Sequence, residues 1–220
     1  MIKLMIFDHD MTIVDSSHAI TAGFNCVADA EGLPRVTREQ VMRHIAKPMP
    51  DFCRGVLGDC RQEWIDLYHK NVAPLEHSLI RPFPDLEEAM SALRGMGIAL
   101  AVASNRDNPR VAMERSGTAR YFDAILGPGG ALPYKPDPAM VLRLMEQFEV
   151  PAERTVYVGD SAIDIETALA ARIRGVGVTL GNYTRAQLMD LGAWRVVDAL
   201  SELPALAAGD ERQVWKGMSL

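Results

Sequence analysis

Two aspartates and a threonine follow directly after the first apolar run of the chain. Leu4–Phe7 is continuously apolar and lacks the gaps of a helical pattern, and Asp8, Asp10 and Thr12 come immediately after it. Side chains two residues apart in an extended chain point to the same side, so one site can use both carboxylates. Two carboxylates that lie close together need a cation or a shared proton. This stretch therefore predicts a site for cation binding or acid–base chemistry.

The same change from apolar to polar sequence recurs further along the chain. The residues concerned are Ser104 and Asn105 after the apolar run Ile98–Ala103, Lys135 in a proline-rich loop after residues 123–126, and Asp160 and Asp164 after Thr155–Val158. Parallel strands place their carboxyl ends at one edge of a sheet. If these runs are parallel strands, all of these polar residues meet at that edge.

The elements needed for this arrangement are strands that alternate with helices. Alternation of this kind predicts an α/β fold with a doubly wound, Rossmann-like parallel sheet and right-handed crossovers. About seventy residues without a strand-like run separate the first strand from the next, although a crossover needs only about a dozen. The pattern predicts a core formed by residues 1–14 and 82–220, and an inserted α-helical cap subdomain at residues 15–81. Within the insertion, Thr37 and Gln40 form a capping-box pattern at a helix start.

Composition limits the classes of partner and compartment. The chain of 220 residues is 48% hydrophobic, which suffices for a sizeable core. Its net charge of −6, without a run of Lys and Arg, argues against nucleic acid as a partner. No apolar run reaches membrane-spanning length, so no membrane partner is predicted. The three cysteines have no paired metal-binding spacing and indicate a reducing compartment, which predicts a cytoplasmic protein without disulfides.

The predicted cluster of carboxylates around one lysine favours phosphoryl chemistry with Mg²⁺. Carboxylate oxygens are typical ligands of Mg²⁺, whereas no cluster of His and Cys is present to favour zinc. With a divalent cation bound, Asp8 can attack phosphorus and form an aspartyl-phosphate. Asp10 can protonate the leaving oxygen and then take a proton from the attacking water. Ser104 and Lys135 are predicted to hold the remaining phosphoryl oxygens.

Four motifs in this order resemble those of the haloacid dehalogenase superfamily of phosphohydrolases, and in particular its phosphoglycolate phosphatase-like group. The motifs are Asp8-His-Asp10-Met-Thr12-Ile-Val-Asp15-Ser, Ala103-Ser104-Asn, Tyr134-Lys135-Pro-Asp-Pro138, and Gly159-Asp160-Ser-Ala-Ile-Asp164 with Ala168, Ala170 and Ala171. The resemblance implies that Asp8 is nucleophile and metal ligand, and that Asp10 is acid/base with its backbone carbonyl on Mg²⁺. It also implies that Asp160 completes the protein ligands and that Asp164 lies beside the metal, while Ser104 and Lys135 bind the phosphoryl group.

One position departs from that family pattern. Met11 stands where such enzymes commonly have glycine, and its side chain is expected to crowd or reshape the turn that enters the cap. The expected consequence concerns substrate fit rather than the reaction, since every charged participant is present. Asp10 argues against the dehalogenase and phosphonate-cleaving branches, which lack a carboxylate at this position.

The cap is expected to contact the leaving group of the substrate and so to determine which substrates bind. Arg43, His44 and Lys47 are the cap residues predicted to face a second anionic group, and the alternative is an ordinary solvated helix face. In the core, Thr12 and Asn105 are predicted to contact the substrate, although turn chemistry also explains Asn105.

The predicted function is a Mg²⁺-dependent phosphatase of a small phosphorylated metabolite, with phosphoglycolate as the first substrate to test, acting as a monomer or homodimer. One alternative is a phosphosugar mutase of the same superfamily, which activity on a hexose phosphate and its bisphosphate would distinguish. A receiver-type signalling module is a second alternative, but the long helical insertion and the motif Asp10-x-Thr12 argue against this class of protein. The third is a catalytically silent binding member, which would not turn over an aryl phosphate with Mg²⁺.

Overall fold

The computed structural model describes residues 1–130 and 132–209, apart from the side chains at positions 76 and 77. A six-stranded parallel sheet lies at its centre in the order β5-β4-β1-β6-β7-β8. Its strands are β1 (Leu4–Phe7), β4 (Ala99–Ala103), β5 (Ala124–Leu126), β6 (Thr155–Gly159), β7 (Arg174–Val178) and β8 (Arg195–Val197), and β2 (Val14–Asp15) and β3 (Arg81–Pro82) form a separate ribbon. The predicted α/β class and parallel sheet are confirmed.

Ten α-helices connect the strands within the described residues. They are α1 (Ser17–Glu31), α2 (Arg38–Met42), α3 (Met49–Leu57), α4 (Gln62–Leu79), α5 (Leu86–Gly95), α6 (Pro109–Arg115), α7 (Ala139–Phe148), α8 (Ala162–Ala170), α9 (Arg185–Asp190) and α10 (Leu203–Ala208). The helix that starts after Thr37 has the predicted capping box, because the Thr37 side chain accepts from the Gln40 N–H and the Gln40 side chain accepts from the Thr37 N–H.

The first strand occupies the centre of the sheet because both of its faces are apolar. Leu4 and Ile6 pack in one hydrophobic cluster with α7, whereas Met5 and Phe7 pack in another that includes α5. A strand covered by helices on both faces needs apolar residues at every position, not at alternate ones. The continuous apolar run at the start of the chain thus dictates the central place of β1.

The strand order creates a crevice at the carboxyl end of β1. The strand pairs with β4 on one side and β6 on the other. The chain runs outward from β1 through β4 to β5, then crosses back to β6 and runs outward in the opposite direction through β7 to β8. A sheet in which the order reverses at one strand opens a crevice there, and ligands bind in that crevice. Asp8 directly follows β1 and therefore stands at this point.

The helices α1 to α4 are inserted between β2 and β3, two short strands that the sequence did not indicate. These strands pair antiparallel, with Val14 opposite Pro82 and Asp15 opposite Arg81. The chain therefore enters and leaves the helical segment through two adjacent strands, at the positions where the sequence predicts the boundaries of the cap. The division into a core and a cap subdomain stays a prediction, and its final part, residues 210–220, lies outside the described residues.

Among the helices in the described ranges, none is both long and apolar enough to cross a membrane.

Candidate active site

Three buried carboxylates meet around one buried ammonium group at the carboxyl edge of the sheet. The Nζ atom of Lys135 lies 2.7 Å from Oδ1 of Asp8 and 2.7 Å from Oδ1 of Asp164. Asp160 joins them, since Asp8, Asp160 and Asp164 each offer a carboxylate oxygen within 4.8 Å of the other two. The structure therefore brings together four of the residues that the sequence predicts to share a site.

Two glycines give these carboxylates the space to converge. A Cβ atom built at Gly159 would lie 2.3 Å from Cβ of Asp164, and one built at Gly181 would lie 1.9 Å from Oδ2 of Asp160. Both distances are far below van der Waals contact, so any larger residue at either position would displace a carboxylate.

Hydrogen bonds orient two of the three carboxylates. Asp164, in the first turn of α8, accepts a hydrogen bond at Oδ2 from the N–H of Ser161 at 3.1 Å and from its hydroxyl at 2.6 Å. Asp160 accepts at Oδ1 from the hydroxyl of Thr12 at 3.2 Å. Thr12 was predicted to contact the substrate, but it is fully buried and does not line the cavity described below. Its observed contact orients Asp160 instead.

When all three of its carboxylates are ionised, the charges of this cluster do not balance without a further cation. Burial, together with the charges of Asp164 and Asp10, raises the pKa of Asp8 to about 7 against the opposing effect of Lys135. Burial and the neighbouring carboxylates also raise the pKa of Asp160 well above its ordinary value. The pKa of Lys135 is raised despite its burial, because Asp164 and Asp8 stabilise its charge. Three carboxylates against one ammonium leave a deficit of two positive charges, which a divalent cation with oxygen ligands would fill.

The carboxylate of Asp10 is paired with a residue that the sequence reading left without a role. Nε of Arg106 lies 3.0 Å from Oδ1 and 2.9 Å from Oδ2 of Asp10, and Nδ1 of His9 lies 3.2 Å from Oδ1. Burial alone would raise the pKa of Asp10, but Arg106 and His9 outweigh it and lower that pKa well below its ordinary value. From the sequence, Lys135 is the one cation of the carboxylate cluster, and the structure adds Arg106 as a second cation, paired with Asp10.

Tyr157, whose place in an apolar run is typical of a core residue, is the third hydrogen-bond partner of the Lys135 ammonium group. Tyr157 lies within β6 and is fully buried, and its hydroxyl lies 3.0 Å from Nζ of Lys135 and 2.7 Å from the carbonyl oxygen of Ala103. A carbonyl can only accept, so the hydroxyl donates to Ala103 and accepts from Lys135. With Asp8 and Asp164, Tyr157 uses all three donors of the ammonium group.

The polar residues after β4 connect the Lys135 loop to the site and to the helical segment. Asn105 accepts a hydrogen bond from the N–H of Lys135 at 2.7 Å and donates to its carbonyl at 3.2 Å. The same side-chain amide donates to the carbonyl of Ala46, in the inserted segment, at 3.0 Å. Ser104 is buried and lines the cavity together with Asp8 and Asp10. Ser104 and Asn105 therefore both line the cavity beside Asp8.

A cavity of about 400 Å³ opens between the sheet edge and the inserted helices. Asp8, Asp10, Ser104, Asn105 and Arg106 line it from the sheet side, and Lys47 lines it from the helical segment. The apolar part of the wall includes Ile20, Ile45, Met49, Phe52, Val72 and Val111.

Of the three cap residues predicted to face the substrate, only Lys47 lines the cavity. Nζ of Lys47 lies 3.0 Å from Nδ1 of His44. Arg43 does not line the cavity, because its guanidinium pairs with Glu39 on the outside, where the Arg43 side chain is 65% exposed. This placement gives no support to the predicted contact of Arg43 with the substrate.

Met11 has a backbone conformation that favours glycine, the residue that the family resemblance leads one to expect at this position. Its φ angle is +59°, in the left-handed region that residues with a Cβ atom avoid. The side chain is nevertheless buried, with 2% of its surface exposed, so it packs into the interior and does not obstruct the cavity.

Comparison with known proteins identifies relatives along most of the chain. The family model described as haloacid dehalogenase-like hydrolase matches residues 5–178. A protein of Vibrio parahaemolyticus named phosphoglycolate phosphatase is 30% identical over 94% of this chain and 96% of its own length. A protein of Dickeya dadantii named probable phosphatase IndB is 29% identical over 93% of both chains.

Solved structures show the same fold. A crystal structure described as a predicted phosphoglycolate phosphatase from Haemophilus somnus superimposes with a TM-score of 0.84 and 21% identity. The match covers 93% of this chain and 97% of the other.

Proposed function

The chain belongs to the haloacid dehalogenase-like hydrolases, and from this premise we propose that it is a Mg²⁺-dependent phosphatase of a small phosphomonoester that acts through an aspartyl-phosphate. The observation that supports this most strongly is the position of Asp8, which directly follows the central strand, lines the cavity and accepts a hydrogen bond from Lys135. A carboxylate placed in this way can meet a phosphoryl group that enters from the cavity.

The first step transfers the phosphoryl group to Asp8. A carboxylate oxygen of Asp8 forms a bond to phosphorus as the ester oxygen leaves with the P–O bonding electrons. Lys135 is held between Asp8 and Asp164, so its ammonium group stands where negative charge must be neutralised during the transfer. Ser104, on the cavity wall, is placed to donate a hydrogen bond to a phosphoryl oxygen.

Asp10 handles the proton in both steps. It donates a proton to the leaving oxygen and then accepts one from the water that attacks the phosphorylated Asp8. The adjacent Arg106 favours the charged form of Asp10, which suits the second step. The first step requires that the contact between Arg106 and Asp10 weaken while the substrate is bound.

The residues that would hold Mg²⁺ are Asp8, Asp160 and Asp164, with the backbone carbonyl of Asp10. Their chemistry fits the ion, since the three carboxylates are buried with a deficit of positive charge and include no nitrogen or sulfur ligand. The bound ion would neutralise the phosphoryl oxygens and the crowded carboxylates.

Phosphoglycolate is the first substrate to test, because relatives such as that of V. parahaemolyticus are named phosphoglycolate phosphatases. A metabolite of this size fits well within a cavity of about 400 Å³. We expect the enzyme to act in the cytoplasm, as a monomer or homodimer, and its three cysteines are free thiols in the structure.

The test is release of inorganic phosphate from phosphoglycolate with Mg²⁺ and with excess chelator. We expect Mg²⁺-dependent turnover that falls at least about 100-fold in Asp160→Asn, because a ligand is lost. The matched control is Asp190→Asn, at an exposed position of α9, which should retain activity. Turnover that is unaffected by the chelator, or that survives in Asp160→Asn, would contradict the proposal.

A further inference from the structure

The inserted helices turn an apolar surface toward the catalytic carboxylates. Ile20 of α1, Phe52 of α3 and Val72 of α4 line the cavity together with Asp8, and each of the three is at most 5% exposed. Ile45, in the segment between α2 and α3, lines the cavity as well. Four separate parts of the helical insertion therefore contribute apolar side chains to one wall, and no step of the reaction above uses that wall.

Some of these apolar side chains are accessible to a ligand inside the cavity. Val111 of α6, on the core side, lines the cavity and is 37% exposed, and Ile45 and Met49 are only partly buried. Apolar surface in contact with water is unfavourable, and a ligand gains binding free energy when its own apolar atoms cover that surface. The accessible groups on both sides of the cavity thus match an apolar ligand.

Most of the charged groups beyond the sheet edge are already paired or hydrated. The carboxylate of Asp107 lies 3.3 Å from Nε2 of His69 and accepts a hydrogen bond from the Tyr134 hydroxyl at 2.7 Å. Lys47 and Arg115 also line the cavity, but both are exposed, and long cationic side chains keep their charge in water while their stems cover apolar surface. These groups therefore do little to stabilise a buried polar leaving group.

The volume of the cavity exceeds what a two-carbon leaving group needs. A cavity of about 400 Å³ falls within the range of about 300–1,000 Å³ that encloses ligands of drug-like size. The phosphoryl group occupies the polar edge at Asp8, which leaves the apolar remainder of the cavity for the leaving group.

We propose that this cavity selects phosphomonoesters whose leaving group carries an apolar body of several carbon atoms, which packs against the wall between the inserted helices and α6. The inference rests on the proposed phosphatase function and specifies its substrate class. The apolar body takes the place of the second anionic group that the sequence predicts, because Arg43 and His44 do not line the cavity.

The experiment measures kcat/KM with Mg²⁺ for methyl, propyl and pentyl phosphate. The leaving alkoxides have nearly equal basicity, so the intrinsic reactivity of the esters hardly changes along this series. Each added CH₂ group should raise kcat/KM about 3-fold, and pentyl phosphate should exceed methyl phosphate by about 100-fold. The value for 4-hydroxybutyl phosphate, in which a hydroxyl replaces the terminal methyl group of the pentyl ester, should be at least about 10-fold below that for pentyl phosphate.

Substitutions on the wall test whether these side chains bind the alkyl chain. Ile45→Ser and Val111→Ser should each lower the ratio of kcat/KM for pentyl phosphate to that for methyl phosphate at least about 3-fold, and the double variant at least about 10-fold. This ratio does not depend on the amount of folded enzyme. Ile45→Leu should keep the wild-type ratio. The matched control, Leu142→Ser, removes an exposed apolar side chain of α7 outside the cavity and should keep it too.

A binding measurement tests the same wall without turnover. In the presence of Mg²⁺, the Kd of hexylphosphonate should be about 100-fold lower than that of ethylphosphonate in titration calorimetry. Equal kcat/KM along the alkyl series, or an unchanged ratio in the double variant, would overturn the inference, and hydrolysis of phosphoglycolate would then leave the phosphatase function intact. If no ester is hydrolysed, phosphoglycolate included, the proposed function fails. Tighter binding of hexylphosphonate would in that case still support the apolar wall as a ligand site, whereas equal binding of the two phosphonates would reject it.

Discussion

Mg²⁺ should stabilise the protein more at pH 8 than at pH 5.5, because the metal and protons compete for the same carboxylates. Burial raises the pKa of Asp8 from 3.8 to about 7, and Asp160 is shifted in the same direction. A carboxyl group with a raised folded-state pKa contributes stability below its unfolded pKa and loses that contribution as the pH rises through its folded pKa. The metal-free protein should therefore lose stability from Asp8 between pH 3.8 and about 7. Bound metal would offset this loss.

The expected size of the effect follows from the pKa of Asp8. With a pKa of about 7, only about 3% of Asp8 is ionised at pH 5.5, so the apparent Mg²⁺ affinity should be roughly 30-fold weaker than at pH 8. By linkage, a 30-fold change in affinity at high Mg²⁺ changes the stabilisation by about 2 kcal/mol. For a chain of this size, that corresponds to a difference of about 4–8 °C in the Tm gain.

The assay is thermal unfolding with and without Mg²⁺ at both pH values. Asp8→Asn removes the titrating group, so the difference between the two pH values should shrink in this variant. Asp51→Asn is the matched control, because Asp51 lies at the surface in an ion pair with Arg54, and it should behave like the wild type. A Tm gain that is equal at both pH values, or larger at pH 5.5, would refute the reasoning.

Three substitutions test other parts of the account. Asp8→Asn should lower the rate of phosphate release at least about 10⁴-fold, and substantial turnover would exclude Asp8 as the nucleophile. The same variant should raise the free energy of unfolding of the metal-free protein at pH 8, measured in urea. Tyr157→Phe should lower the free energy of unfolding by about 1–3 kcal/mol, because the Ala103 carbonyl and Lys135 each lose a buried partner. Tyr157→Phe should also lower kcat by about 10-fold, because Lys135 is less well oriented. The control is Thr155→Val, which removes a hydroxyl at the other end of the strand and should leave kcat unchanged. Equal kcat values in the two variants would show that Tyr157 does not orient Lys135. Met11→Gly should lower the free energy of unfolding by about 2 kcal/mol, because the loss of a buried Met side chain outweighs relief of the left-handed backbone; an increase would mean that strain dominates.

The site could be predicted from the sequence where position along a strand determines position in space. Asp8 and Asp160 directly follow apolar runs, and parallel pairing of those runs leaves both aspartates at one edge of the sheet. Lys135 is less constrained, because it lies in a loop. The strand pattern predicts that it lies at the same edge of the sheet, but not that its ammonium group lies between Asp8 and Asp164.

Arg106 and Tyr157 show what such reasoning misses. Arg106 is a charged residue in a loop, a pattern that in most proteins indicates a solvated surface, and only the structure shows its contact with Asp10. Tyr157 belongs to an apolar strand and resembles a core residue, because its hydroxyl contributes nothing to the periodicity. The antiparallel pair of Val14 with Pro82 was missed because strands of two residues have no recognisable pattern.

The most direct test of Asp8 as the nucleophile is the stereochemistry at phosphorus during hydrolysis of the phosphorothioate analogue of phosphoglycolate, with two oxygen isotopes on phosphorus and the third in the solvent water, so that the released thiophosphate is chiral. Transfer to Asp8 followed by attack of water comprises two in-line displacements, and each of them inverts the configuration. Retention of configuration in the released thiophosphate is therefore predicted. Inversion would show that water attacks the substrate directly and would contradict the aspartyl-phosphate mechanism.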